Sequence, residues 1–171
     1  MYMRKKVINL FIPERIYKNM VGLANNFYPK ETGGALMGFY SNKDVVVVTD
    51  LIDSGPDAVH SVNSFTPDYE FQEKQIATLY AESNRLHTYL GDWHSHPNGS
   101  ASLSYKDQDT LRRIGTFLKA RAPLPIMLLL AGKKDSWELK SWQLKAQKIF
   151  GLFVKSKIDT VELNIVVFKK S

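Results

Sequence analysis

The sequence predicts an α/β protein in which helices flank a mixed central β-sheet. Segments with helical spacing of apolar residues alternate along the chain with short apolar segments typical of strands. Some neighbouring strands are joined by short turns and should pair antiparallel, whereas helices separate others and allow parallel pairing. At 171 residues with 44% apolar residues, the chain can supply a proper core. We therefore predict a single domain over residues 1–171.

The predicted helices follow from apolar periodicity and from residues that favour helix starts. Apolar residues recur at helical spacing from Ile16 to Phe27, and Pro13 suits the first position of that helix. Asp68 and Ser104 can each cap a following helix. The predicted helices span about 13–27, 68–85 and 104–119, with inner faces formed by Ile76, Leu79 and Tyr80 in the second and by Leu111, Ile114, Phe117 and Leu118 in the third.

The predicted strands are short and mostly apolar. A polar turn at 41–44 joins two of them, which indicates a hairpin. The run from Pro125 to Ala131 is almost continuously apolar, as in a strand buried on both faces. Residues 53–67 and 98–103 are small or polar and are predicted loops. The predicted strands are Val7–Ile12, Ala35–Tyr40, Val45–Ile52, Thr88–Trp93, Pro125–Ala131, Ser136–Leu144 and Val161–Phe168.

Composition limits the location and the partners of the protein. The chain has no Cys, which agrees with a reducing cytosol. The apolar run that follows the basic start of the chain is too short for a signal peptide, and no window approaches a transmembrane length. We therefore expect a cytoplasmic protein that does not interact with membranes.

The net charge of +6 is unevenly spread, because the basic excess lies after Ser104. This basic part is either an ordinary lysine-rich surface or a docking surface for an acidic protein or a nucleic acid. The sequence contains no Arg/aromatic repeat, helix-turn-helix pattern or glycine-rich phosphate loop. Nucleic acid is therefore not the expected partner.

The most specific pattern in the chain is His94-x-His96-Pro, followed by Ser104-x-x-Asp107. Two imidazoles two residues apart can point the same way from one extended segment, and a carboxylate from the next segment can close on the same point. Two nitrogens and one oxygen suit a zinc ion whose fourth position is open for water. Because structural zinc sites usually contain Cys, the absence of Cys favours a catalytic site.

Plainer interpretations exist for the same residues. A lone histidine is more often an ordinary surface or core residue, and Ser104 with Asp107 is also a helix-capping pair with Asp in place of Glu. A helix starting at Ser104 would keep Asp107 in its first turn, so capping and metal binding are compatible. The sequence lacks the His-Glu-x-x-His motif of common metalloproteases and the Cys pair of zinc deaminases.

The pattern resembles the JAMM signature of the JAB/MPN metalloproteases, and the resemblance covers roughly Pro13 to Leu144. That family also needs an upstream Glu, which Glu31 in a Glu-Thr-Gly-Gly block matches; otherwise Glu31 would be a solvated charge. The resemblance implies an α/β/α sandwich with a cytidine-deaminase-like fold. It also implies one zinc ion with a catalytic water. By the resemblance, His94, His96 and Asp107 are the zinc ligands, Glu31 is the general acid/base and Ser104 donates to the substrate oxyanion.

Within that family the chain is most similar to bacterial JAB deconjugating peptidases of antiphage (CBASS-type) operons. This implies an isopeptidase that cleaves after the C-terminus of a conjugated protein. The substrate would be the tail of a cyclic-oligonucleotide synthase, which is a nucleotidyltransferase, or of a ubiquitin-like modifier. One alternative is a JAB protease that processes a ubiquitin-like or sulfur-carrier precursor. Another is a non-catalytic MPN-type scaffold, although such scaffolds usually lack part of the metal set.

Several nearby residues are given supporting roles. His60 and His87 lie outside the motif and are predicted to be structural or exposed. Trp93 is predicted to pack in the core beneath the metal loop. Gly33 and Gly34 have no side chain, so substrate backbone could approach closely there.

Overall fold

The computed structural model describes residues 7–145 and 159–169. The described residues form an eight-stranded sheet and a small two-stranded hairpin. The strands are β1 (Asn9–Pro13), β2 (Gly33–Asn42), β3 (Val45–Leu51), β4 (Val59–His60), β5 (Phe65–Thr66), β6 (Thr88–Pro97), β7 (Ile126–Lys133), β8 (Ser136–Leu144), β9 (Thr160–Glu162) and β10 (Asn164–Phe168). The helices are α1 (Glu14–Phe27), α2 (Tyr69–Glu82) and α3 (Tyr105–Thr116), and a 3-10 turn follows at Leu118–Ala120.

The large sheet is mixed, with the strand order β10-β1-β3-β2-β6-β7-β8-β9. Strand β1 is parallel to β10 and β3, and β6 is parallel to β7. The pairs β2–β3, β2–β6, β7–β8 and β8–β9 are antiparallel. The prediction of a mixed central sheet flanked by helices is confirmed.

The two edges of the sheet meet at Leu163. The backbone N–H of Leu163 donates to Ser141 O on β8, and the next N–H, of Asn164, donates to Ile8 O beside β1, both at 2.9 Å. The prediction of one strand over Val161–Phe168 was therefore wrong, because this segment forms two strands at opposite edges. Local patterning could not reveal the break, since each half finds its partner far away in sequence.

Helix α1 packs against the inner face of this curled sheet. Its buried side chains, Ile16, Met20 and Ala24, share one cluster with residues of β1, β2, β3, β6 and β7. The helix begins one residue later than predicted, because Pro13 is its N-cap and ends β1. This difference lies within the usual uncertainty of helix boundaries.

Helices α2 and α3 cover the opposite face. Asp68 caps α2 as predicted, because its side chain accepts from Phe71 N. The predicted inner face of α2 is also confirmed, since its Ile76, Leu79 and Tyr80 pack on buried residues of β2. Leu111 of α3 packs on Met127 and Leu129 of β7. A groove is left between the two helices.

The end of α3 differs from the prediction. The helix stops at Thr116, and Phe117 adopts an extended conformation. The helical period is thereby broken, so Phe117 and Leu118 are 56% and 92% exposed instead of facing inward. In the part of the chain that the structure describes, no helix is long and apolar enough to cross a membrane.

Candidate metal centre and substrate groove

Strand β6 carries both motif histidines, and it extends further than the predicted Thr88–Trp93. His94 lies between Gly33 of β2 and Leu129 of β7, in the interior of the sheet. Because side chains alternate along a strand, His94 and His96 share the face toward α2 and α3. Trp93, as predicted, is fully buried in the core on the other face, and its Nε1 donates to Ile52 O.

Three side chains converge on one point. His94 Nε2 lies 2.9 Å from His96 Nε2 and 3.1 Å from Asp107 Oδ1. His96 Nε2 lies 3.6 Å from Asp107 Oδ2. Ligand atoms about 2.0–2.2 Å from a tetrahedral metal ion lie roughly 3.3 Å from one another. The nitrogen lone pairs and the carboxylate therefore fit a shared cation, and three protein ligands leave a fourth position for water or substrate.

Asp107 belongs to a helix cap and also faces the two histidines. Its Oδ2 accepts from Ser104 N at 2.7 Å, and Ser104 Oγ accepts from Asp107 N at 3.2 Å, which completes a capping box. Its Oδ1 faces His94. Burial raises the pKa of Asp107, but the hydrogen bonds and charge of His94 and the hydrogen bonds of Ser104 lower it to about 2. The side chain is therefore an ionised carboxylate, as a metal ligand must be.

The surroundings of His94 and His96 suit metal binding in different ways. Burial lowers the pKa of His94, although the neighbouring Asp107 opposes this effect. A lower pKa favours the neutral ring that a metal ion requires. His96 Nδ1 is 3.0 Å from Ser100 O, a contact that favours the tautomer with the proton on Nδ1 and so leaves the Nε2 lone pair facing the centre.

Glu31 lies just before β2 and lines the same groove as His94 and Asp107. Burial raises the pKa of Glu31, the charge of Asp107 raises it further, and His96 and Lys106 oppose the shift. A carboxyl whose pKa is moved toward neutrality is suited to take and return a proton. The structure therefore brings Glu31 to the groove that holds the three converging side chains.

Two residues that were not predicted to lie at the site hold the backbone around Glu31. Ser95, the middle residue of the histidine pair, is fully buried, and its Oγ accepts from Thr32 N at 3.0 Å. His60 Nδ1 lies 2.9 Å from Glu31 O, and its ring stacks on Phe27. His60 therefore has a structural role, as predicted, and contacts the backbone of Glu31 directly. The alternation of side chains along β6 was the one sequence signal that Ser95 faces the core. No sequence signal links His60 to Glu31.

The two glycines at the start of β2 have a different role from the one expected. A Cβ at Gly33 would clash with Trp93 O and His94 Cβ, and a Cβ at Gly34 would clash with Ile52 O. Neighbouring backbone of the protein itself fills the space that we expected substrate to use. Gly33 therefore allows β2 to approach β6 closely, and Gly34 allows the same strand to approach the segment that follows β3.

The groove has a volume of about 1040 Å³ and lies between α2 and α3, and its lining includes His94 and Asp107 of the converging group together with Glu31. Its floor includes Tyr89 and Asp92 of β6. The Tyr89 hydroxyl donates to Asp92 Oδ1 at 2.6 Å. Burial raises the pKa of Asp92 to about 6, although this hydrogen bond opposes the shift.

A family model described as prokaryotic homologs of the JAB domain matches residues 13–145. The chain belongs to this family. The resemblance noted from the sequence is therefore confirmed, and the fold agrees with it. The match includes Glu31 and the residues from His94 to Asp107.

Individual relatives indicate the class of chemistry. The probable metalloprotease y4qB of Sinorhizobium fredii is 37% identical over 161 residues, which cover 94% of this chain and 97% of that protein. Proteins named CD-NTase/cGAS isopeptidase from Escherichia coli and Vibrio cholerae are 27% and 25% identical over 107 residues. These matches cover 63% of this chain and 65% of each relative. Together with the converging His94, His96 and Asp107, the names support a peptidase-type hydrolase with a metal site.

A solved structure supports the fold alone. The solution structure of protein DSY2949 from Desulfitobacterium hafniense has a TM-score of 0.64 to this chain at 20% identity. The similarity covers 94% of both chains.

Proposed function

We propose that this protein is a cytoplasmic zinc-dependent isopeptidase that cleaves after the C-terminus of a conjugated protein. The observation that carries the proposal is the convergence of His94, His96 and Asp107 at one point of a groove that Glu31 also lines. The same groove is open enough to hold an extended chain. This combination supports hydrolysis of a peptide or isopeptide bond rather than a purely structural metal site.

In this proposal His94, His96 and Asp107 hold the zinc ion. When bound there, the ion supplies an activated water and polarises the scissile carbonyl. Glu31 would take a proton from the attacking water and return it to the leaving amine. Ser104 Oγ already accepts from Asp107 N, so its own hydroxyl proton is available to the oxyanion that forms on the substrate.

The proposed substrate is the C-terminal tail of a cyclic-oligonucleotide synthase joined to a target amine. Two relatives named CD-NTase/cGAS isopeptidase support this choice. The reaction would reverse conjugation in a bacterial antiphage system. A ubiquitin-like protein is the second candidate for the modifier, and a peptidase that trims a precursor would use the same side chains.

The test uses the zinc-loaded protein and two fusions. One fusion joins a CD-NTase at its C-terminus to a reporter protein, and the other joins a ubiquitin-like protein to the same reporter. We expect cleavage of the first fusion at the junction, located by mass spectrometry, and no cleavage by the matched Glu31→Gln variant. Cleavage of only the second fusion would move the assignment to a ubiquitin-like modifier. Cleavage of neither fusion by the zinc-bound protein would contradict the proposal and favour a scaffold.

A further inference from the structure

The floor of the groove contains a carboxylate that the proposed chemistry does not use. The register of β6 against β2 passes from Gly91 opposite Leu36 to Tyr89 opposite Met37, so Leu90 is an extra residue. Such a bulge changes which residues share a face. Tyr89 and Asp92, three residues apart, therefore point to the same side, and Leu90 is buried in the core.

Gly91 makes this arrangement possible. Its φ is +141°, and a Cβ there would clash with Ile126 O on β7. In this position Tyr89 donates to one oxygen of Asp92, at 2.6 Å. The strand thus presents a tyrosine-supported carboxylate on the groove side, two residues before His94.

Asp92 has no ion-pair partner among residues 7–145 and 159–169. Basic side chains do line the groove, but they belong to α3 and the segment after it: Lys106, Arg113, Lys119 and Arg121. Arg113 pairs with Asp109 instead. A partly buried carboxylate without a cation is unfavourable unless another group supplies donors. Because Asp92 lies in a groove suited to a peptide, that group can be part of the substrate.

We infer that Asp92 is a specificity-determining residue that receives a lysine or arginine side chain of the substrate, about two residues from the scissile bond. The inference rests on the proposed function. Asp92 and His94 are two residues apart on β6, which is about 6.6 Å along a strand. An extended substrate chain that follows β6 has the same repeat, so the residue over Asp92 is about two positions from the one at the metal centre.

The charges of the groove favour a basic side chain over Asp92 and disfavour one near α3. Hydrogen bonds between a cation and a carboxylate are roughly twice as strong as neutral ones, so arginine or lysine satisfies Asp92 better than a backbone amide does. Near α3, Lys106, Lys119 and Arg121 would repel a basic substrate residue. The preference should therefore appear at one substrate position and not along the whole tail.

The test measures binding, so that it does not depend on cleavage. Fluorescein-labelled octapeptides of Gly, Ala and Ser carry a single arginine at successive positions, and a matched set carries citrulline, its neutral analogue. Both sets are titrated by fluorescence anisotropy against the full chain with zinc and the Glu31→Gln substitution. At one position we expect arginine to bind about tenfold more tightly than citrulline.

Variants assign that preference to Asp92. Adding Asp92→Asn should remove the arginine preference and leave citrulline binding unchanged. Glu73→Gln removes an exposed acid from the α2 side of the same groove and should leave the preference intact. Unchanged zinc content and unchanged citrulline binding in Asp92→Asn exclude a folding defect as the cause of a lost preference.

Equal binding of both peptide sets at every position, or a preference that survives Asp92→Asn, would overturn the inference. This result is separable from the proposed function. If the protein cleaves a fusion but shows no arginine preference, only the proposed role of Asp92 is contradicted. If it prefers arginine but cleaves neither fusion, only the proposed reaction is contradicted.

Discussion

The two halves of the candidate site are held in place in different ways. His94 and His96 lie in the interior of the sheet, and Ser95 between them is hydrogen-bonded to Thr32, 63 residues away. Ser104 and Asp107 instead hold each other through two hydrogen bonds across three residues. The strand half depends on long-range pairing and the core, whereas the helix half depends on a local cap. Substitutions in the two halves should therefore have different consequences.

The largest effect is expected in the strand half. His94→Ala or His96→Ala should abolish stoichiometric zinc binding, because each removes one of three ligands. Elemental analysis of the purified protein measures this directly. His87→Ala is the matched control, since His87 lies outside the converging group and should leave the zinc content unchanged. Full zinc occupancy in a His94→Ala, His96→Ala double variant would contradict the assignment of these histidines as zinc ligands.

Glu31→Gln should preserve zinc binding and lose most of the cleavage activity. The carboxylate acts on the water and is not a ligand, so zinc content and thermal stability should remain. Cleavage should fall by about 10²- to 10⁴-fold, the usual contribution of a general acid/base. Rates on the fusion substrate, with zinc content measured on the same samples, test this. A variant that cleaves at the wild-type rate would return Glu31 to the role of a solvated charge.

In the helix half, Ser104→Ala should have a smaller and mixed effect. Loss of the cap should lower the free energy of unfolding by about 1 kcal/mol. Loss of an oxyanion donor should lower kcat by about 10²-fold. Ser104→Thr keeps the hydroxyl and should preserve most of both. Urea denaturation measures the loss of stability, and steady-state kinetics measures the loss of kcat. A Ser104→Ala variant with normal kcat would show that Ser104 acts only as a helix cap.

The smallest effect is expected just beyond α3. Leu118 is 92% exposed, so Leu118→Ser should change the free energy of unfolding by less than about 0.5 kcal/mol. Leu111 of α3 is fully buried. Leu111→Ala should therefore lower the free energy of unfolding by about 2–5 kcal/mol. Chemical denaturation compares the two. A large loss in Leu118→Ser would show that Leu118 is buried in solution.

Patterns confined to a single helix or strand were reliable guides to the fold. The α1 periodicity, the cap at Asp68 and the apolar run in β7 each act within a few residues, and each was predicted close to its observed place. The predicted loop over residues 53–67 contains the β4–β5 hairpin, and the other errors lie where an element ends or changes partner. Phe117 leaves the helical period, and Leu163 separates two strands that pair with β8 and β1. The break at Leu163 has no local signal, since the two strands it separates pair with segments far away in the sequence.

The sequence by itself determined the spacing of the candidate ligands. Alternation along a strand places His94 and His96 on one face, and a cap of three residues places Asp107 in the first turn of a helix. Only the tertiary structure decided how the other groups join them. Pairing of β2 with β6 brings Glu31 alongside through Ser95 and Thr32, and the bulge before Gly91 turns Asp92 into the groove. These placements come from backbone contacts between residues far apart in the chain, which no local pattern encodes.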